Sequence, residues 1–460
     1  MALLIRNGEI VTADSRSRAD IYCEGETITR IGAGLEAPPG AQVVDATGKY
    51  VFPGFIDPHV HITLPFMGTF AKDTYETGSK AALVGGTTTL IEMCCPSRAD
   101  DALAGFEHWM AQATGRSACD FTFHMGATRY DAATESQLRE IVRRGISSFK
   151  IFLAYKGAFG IDDSELYRTL KLARELGVVV TAHCENETLV AERQRELLAE
   201  GRTGTGEHHE SRPPVVEAEG VNHLMTFAEV TGAHTYIVHL SCARALGRAI
   251  AARRRGVHVS VETLIQYLVL DKTWAEKPDF EGAKYVMSPP LRDAANQAVL
   301  WDGLRDGLIQ TVATDHAPFD FQSQKQMGRS DFTRIPNGIP SLEERINLLY
   351  THGVRAGRID LHTLVNAAST RIAKEFDLFP RKGTIQPGAD ADLVVFDPAY
   401  RGVISAKTQH MNVDYSAFEG WKIEGRPSVV TVRGEVAVRD GTFVGDPVRG
   451  RFLSRTPSRA

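Results

Sequence analysis

Val178-Val179-Val180-Thr181-Ala182-His183 is an apolar run that ends on an imidazole. A strand apolar on both faces must be covered on both, as in a parallel sheet packed between helical layers. The segment before it is helical: after Asp163, residues Leu166, Leu170, Ala173 and Leu176 share one face, and Gly177 supplies the stop. The same alternation of apolar run and helical pattern recurs on either side. Strands are predicted at 51–57, 87–93, 120–126, 146–152, 178–184, 235–240, 257–263 and 309–315, with capping boxes at Thr134-x-x-Gln137 and Ser341-x-x-Glu344. Eight such units predict an α/β fold, a (β/α)8 TIM-like barrel over residues 53–382. The rival, a doubly wound open sheet, lacks the support of a Gly-x-Gly-x-x-Gly or Walker loop.

Both ends of the chain have another texture. Asp20-Ile21-Tyr22-Cys23 and Thr27-Ile28-Thr29-Arg30-Ile31 near the start, and Ala391-Asp392-Leu393-Val394-Val395-Phe396 and Ser428-Val429-Val430-Thr431-Val432 near the finish, are β-rich runs among glycines. Residues 1–52 and 383–446 are therefore expected to build one small β-sandwich. Residues 447–460, with Arg449, Arg451, Arg455 and Arg459, form a tail expected to be an arm on a neighbouring subunit.

Composition narrows the class. Of 460 residues 43 % are hydrophobic and 24 % charged, which excludes wholesale disorder. The formal charge of −5 gives no electrostatic footprint for nucleic acid. No apolar run approaches the ~18 residues a membrane-spanning helix needs. The start, Met1-Ala2-Leu3-Leu4-Ile5-Arg6, turns polar too early for a signal peptide. Six cysteines without CxxC spacing read as reduced, buried thiols, so a cytoplasmic enzyme is expected.

Of the 15 histidines, four stand with one aspartate at or just past a predicted strand end: His59 and His61 after strand 1, His183 after strand 5, His239 after strand 6 and Asp315 after strand 8. In a barrel these ends meet at one face, where active sites form. Each group alone is as easily an ordinary hydrogen-bonded side chain, but their common placement points to metal ligation. Four imidazoles and a carboxylate exceed the three protein ligands of one catalytic zinc, yet two metals would need a bridge. Lys150 ends strand 4 on the same face. By itself it is an ordinary lysine in a salt bridge, whereas carbamylation by carbon dioxide would make it an anionic bridge. His208-His209, in a glycine-rich loop, are expected to be solvated; His316 is expected to point away from the site, with indirect support possible.

The motifs Pro53-Gly54-Phe55-Ile56-Asp57-Pro58-His59-Val60-His61, Ser148-Phe149-Lys150, Ala182-His183-Cys184-Glu185-Asn186, Val238-His239-Leu240-Ser241 and Thr314-Asp315-His316 resemble the hydantoinase/dihydropyrimidinase branch of the cyclic amidohydrolases. So does the closing Gly383-Thr384-Ile385-x-x-Gly388-x-Asp390-Ala391-Asp392-Leu393-Val394, and the likeness spans about residues 3–445. The resemblance implies two divalent metal ions, usually zinc: His59, His61 and Asp315 on the first, His183 and His239 on the second, and Lys150, as N6-carboxylysine made with carbon dioxide or bicarbonate, bridging both. It implies a metal-bridging hydroxide that attacks a ring amide, with Asp315 moving the proton. Tyr155 is similar to the family tyrosine that donates to the developing oxyanion; without the family it reads equally well as an aromatic rim residue. Ser288 and Asn337 match positions whose backbone holds the ring, though either could be a simple turn.

The expected substrates are 5-substituted hydantoins and dihydropyrimidines, opened to N-carbamoyl amino acids. Leu64, Phe66 and Met67 after strand 1, with Phe152 and Phe159 after strand 4, would meet the exocyclic substituent, and D-selectivity is the expected stereopreference. Dihydroorotase resembles His-x-His followed two residues later by arginine; here that position is Thr63, which leaves a substrate carboxylate without its fork of donors. Allantoinase is the alternative activity and a non-catalytic scaffold the alternative class, the latter opposed by the complete ligand set. The family is commonly tetrameric, so a homo-oligomer is expected.

Overall fold

In the computed structural model, which describes residues 2–458, Gly54 is where the chain leaves one sheet and enters another. Tyr50–Pro53 pairs antiparallel with Leu393–Val403, whereas Phe55–Val60 pairs in parallel with Thr87–Cys94. A Cβ on Gly54 would lie 2.2 Å from Thr88 Oγ1 and 2.9 Å from Asp392 Cβ, so the crossing has room only for glycine. The single strand predicted at 51–57 is thus two strands in two sheets.

The middle of the chain forms eight parallel strands: β1 (Phe55–Val60), β2 (Thr87–Cys94), β3 (Asp120–Gly126), β4 (Ser148–Phe152), β5 (Val179–His183), β6 (Thr235–Ile237), β7 (Val259–Leu264) and β8 (Thr311–Ala313). Their spatial order is their sequence order, with helices between them, as the alternating pattern predicted. All eight are fully buried. The β1–β8 seam lacks a regular ladder; it is closed by the bridge Val60–His316 and by the His61 N–H donating to His316 O at 2.8 Å. Lower down, the buried guanidinium of Arg345 donates to Ile56 O at 2.8 Å and Val312 O at 3.0 Å, so one side chain spans both strands.

The termini build the sandwich. A four-stranded sheet (Thr27–Gly32, Asp20–Glu24, Ala2–Arg6, Gln42–Asp45) faces a seven-stranded one that mixes early strands with Leu393–Val403, Lys422–Val432, Glu435–Arg439 and Thr442–Phe443. Leu3, Ile5, Ile21 and Val44 from one terminus and Leu393, Val395, Val429 and Val436 from the other share a core. Neither can bury its apolar face alone.

Two local expectations change. Asp131, not Thr134, caps the helix Ala132–Arg143 by accepting from Thr134 N at 2.8 Å. Ser341 caps nothing; its hydroxyl donates to Thr314 O at 3.2 Å beside the site. Of the tail expected to be an arm, the described part runs, in this chain, under its own barrel: Phe452 stacks on Phe123 (6.1 Å between centroids), Leu453 is buried, and the Arg455 guanidinium reaches Thr122, Ser148 and Phe123 O, while Arg459 lies outside the described residues. No helix among the described residues is long and apolar enough to cross a membrane.

Candidate metal centre and active site

The carboxyl ends of the strands open into a recess with about 540 Å³ of free space, its mouth included. Its lining contains His59, His61, Lys150, His183, His239 and Asp315 at the base, Tyr155, Ser288 and Asn337 on one side, and Leu64, Phe66, Phe152 and Phe159 around the rim. Every one of these was singled out in the sequence; Met67 does not line the recess. Backbone torsions explain how short strands aim side chains inward. His239 (φ 40°), Asp315 (φ 49°) and Tyr155 (φ 62°) all adopt left-handed conformations, which cost non-glycine residues energy and cluster where geometry serves a site.

Asp315 Oδ1 lies 3.1 Å from His59 Nε2 and 2.9 Å from His61 Nε2, so these three groups can share one ion. The rings of His183 and His239 follow, with centroids 4.6 Å apart, and those of His239 and His59 stand at 5.4 Å. Carboxylates hold the far nitrogens. Glu262, whose carboxyl is pushed up by burial to about 8, sits with Oε1 2.9 Å from His59 Nδ1 and accepts the His239 backbone N–H at 2.9 Å, and Glu185 Oε2 sits 2.8 Å from His183 Nε2. A carboxylate behind an imidazole fixes the tautomer and strengthens the free nitrogen as a ligand. Glu185 in turn accepts from Arg212 at 2.6 Å.

Burial pushes the His59 and His239 imidazoles far below their ordinary range, so they are neutral and able to coordinate. Burial works to raise the Asp315 carboxyl, but His59 and His61 beside it outweigh that and hold it below the usual range. Burial raises the Tyr155 phenol and keeps its proton on, against Arg212 and hydrogen bonds with Ser288 and Asn337. Lys150 is fully buried, and its Nζ has no hydrogen-bond partner among the described residues. The salt bridge of the ordinary reading is therefore missing. Burial lowers its pKa, which favours the free amine. A buried amine without a hydrogen-bond partner among the described residues, in a recess lined by four imidazoles, fits a group meant to be carbamylated and to join a metal cluster.

Several supporting residues escaped the sequence analysis. Glu262, Glu185 and Arg212 are ionisable groups inside apolar or loop segments, and the signal that could have found Glu262 is a lone acid in Val259-Ser260-Val261-Glu262-Thr263-Leu264. His208, expected to be solvated, is buried, with Nε2 at 2.8 Å from Met287 O and 3.3 Å from Ser288 Oγ. His316 is buried too; it pairs with Asp73 Oδ2 at 2.7 Å, and Ser341 N donates to its other nitrogen at 3.2 Å. All six cysteines are buried and unpaired, as expected.

Residues 50–437 match the amidohydrolase family. Over 456 residues the chain is 48 % identical to the D-hydantoinase of Geobacillus stearothermophilus, covering 99 % of this chain and 97 % of that one. Among solved structures it is similar to a D-hydantoinase (dihydropyrimidinase) from Thermus sp., at 65 % identity and a TM-score of 0.98 over 99 % of both chains. It is similar also to the dihydropyrimidinase from Brevibacillus agri, at 44 % identity and a TM-score of 0.98 over the full length of both. With the barrel, the sandwich and the converging ligand set, these matches show that the chain belongs to the amidohydrolase family, in its hydantoinase/dihydropyrimidinase branch.

Proposed function

We propose that the recess is a binuclear metal site that hydrolyses the ring amide of 5-substituted hydantoins and dihydropyrimidines to N-carbamoyl amino acids, with preference for D substrates. The observation that carries this reading is the buried Lys150 amine, without a hydrogen-bond partner among the described residues, lining one recess with four imidazoles and Asp315. His59, His61 and Asp315 would hold one divalent ion, most simply zinc, and His183 and His239 the other. When bound, the ions would acidify a water and polarise the ring carbonyl. Lys150 Nζ would add to carbon dioxide, forming one N–C bond and releasing one proton, and the resulting carbamate would supply an oxygen to each ion.

The chain's own groups do the rest. Asp315, held ionised and 2.9 Å from His61, accepts the proton of the attacking water and returns it to the departing ring nitrogen. Tyr155, kept protonated by burial, donates to the oxygen as charge develops on it. Backbone groups at Ser288 and Asn337 pair with the alternating C=O and N–H edge of the ring, and Phe66, Phe152 and Phe159 exclude water and pack the substituent. The D-hydantoinase relatives support the stereopreference. Ring opening of dihydrouracil and of D- and L-5-phenylhydantoin by protein prepared with zinc and bicarbonate tests this reading. Chelator-sensitive opening with the D ring faster is expected; no opening of any ring by zinc-loaded protein would contradict it.

A further inference from the structure

Gln324 and Lys325 are neighbours in the long segment after β8, and they serve different walls of the recess. Lys325 is fully buried, and its Nζ lies 3.0 Å from Val286 O, 2.8 Å from Pro336 O and 2.8 Å from Gly338 O. Burial pushes this amino group well below its ordinary range, and the three carbonyl oxygens are gathered around its nitrogen. The first acceptor stands two residues before Ser288; the other two flank Asn337. The same loops are joined by the Gly338 N–H to Val286 O at 3.0 Å and by Asn337 Nδ2 to Ser288 Oγ at 3.0 Å. Gln324 turns the other way. Its amide donates to Thr69 Oγ1 at 2.7 Å and Phe70 O at 2.8 Å, and its Oε1 accepts from Asp320 N at 2.7 Å. Those acceptors belong to the hairpin Pro65–Phe66/Thr69–Phe70, whose Phe66 ring lies 5.5 Å from that of Tyr155 and 6.3 Å from that of Phe159.

We propose that Lys325 is the positioning residue that fixes the two ring-recognition loops, and that Gln324 separately latches the aromatic hairpin over the substituent pocket. The assignment of loops to ring and hairpin to substituent rests on the ring-opening reading above. Two irregular loops present a constant donor–acceptor edge only if something sets their spacing, and here one buried side chain does so from beneath. A buried amino group with no carboxylate in hydrogen-bond reach depends on those carbonyls as much as they depend on it. Without it, three buried oxygens lose a donor and the spacing relaxes. Gln324 is only half-buried, so its loss frees the hairpin while the core stays packed.

The two residues are separable because every substrate shares the ring edge but not the substituent. Steady-state kinetics of zinc-loaded wild type, Lys325→Met and Gln324→Ala on dihydrouracil and 5-phenylhydantoin would read the difference, with metal content measured alongside. Lys325→Met is expected to raise KM about ten-fold for both rings while kcat changes by less than about three-fold, with the metal content of the wild type. Gln324→Ala is expected to act more on 5-phenylhydantoin than on dihydrouracil, shifting the ratio of their kcat/KM values by about five-fold. An unchanged KM in Lys325→Met, or a Gln324→Ala effect equal on both rings, would overturn the proposal. Backbone hydrogen exchange gives a readout independent of activity: exchange should quicken at 286–289 and 336–339 in Lys325→Met, and at 65–70 in Gln324→Ala. Unchanged exchange would overturn the assignment, whereas these exchange changes in the variants of a wild type that opens neither ring would count against the ring-opening reading alone. If Lys325→Met does not fold, Lys325→Gln replaces it, with the same KM rise expected at smaller size and an unaltered KM counting against the proposal.

Discussion

At the closed end of the barrel the ammonium of Lys382 lies 2.6 Å from Asp120, 2.6 Å from Asp392 and 3.0 Å from Asp390; at the open end the amino group of Lys150, at least as deeply buried, meets no hydrogen-bond partner among the described residues. The residue type and the burial are alike, and the consequences are opposite. At Lys382 burial opposes the charge, but three carboxylates overcome it and raise the pKa; at Lys150 burial prevails and lowers it. Asp120 is further held by the Arg433 guanidinium and by the Arg451 N–H at 2.9 Å. One end of the barrel satisfies its charges within the chain, as structural ion clusters do. The other keeps reactive groups that the chain alone does not satisfy, as sites for metals and substrates do.

Exchanging the two lysines' fates breaks the comparison most sharply. Lys150→Ala should lower kcat/KM for either ring by at least about 10³-fold with little change in melting temperature, because it removes the proposed bridge. Lys382→Met should do the reverse. Removing the one cation shared by three carboxylates, of which Asp120 keeps Arg433 and Asp390 keeps Arg381, should cost about 3–5 kcal/mol of stability by denaturant titration, while the folded fraction keeps its specific activity. A smaller effect is expected at Glu262→Gln: loss of the carboxylate behind His59 should weaken metal binding about 10–100-fold by competition with a chelator.

Acid tests the closed end. Burial works against the Asp120 charge, but Lys382 and Arg433 hold its carboxyl at about 2. A folded pKa below the unfolded value of about 3.9 contributes stability that is full above pH ~4 and is lost as pH falls toward ~2. That contribution, about 2–3 kcal/mol, should be visible as a steeper acid limb of stability in wild type than in Asp120→Asn.

The barrel and most of the recess were legible because their signals are local. Strand ends such as Val178–His183 announce both the element and the ligand it carries, and the order of such ends is the order of the strands. What stayed hidden depends on partners far away in the chain. Glu262 matters because His59 lies 203 residues earlier, and His208 is buried because Met287 O, 79 residues later, folds onto it. The break of 51–57 at Gly54 follows from Thr88 and Asp392 pressing on that glycine, and neither is its neighbour in sequence. The helix cap at Asp131 was missed for a local reason: aspartate and threonine both suit the position, and only the backbone turn decides between them.

The most direct test of the central claim is the metal-to-chain ratio of wild type and Lys150→Ala after saturation with zinc and bicarbonate and removal of unbound metal. The account predicts about two ions per chain in the wild type and about one or fewer in the variant. Equal occupancy in the two proteins would contradict it.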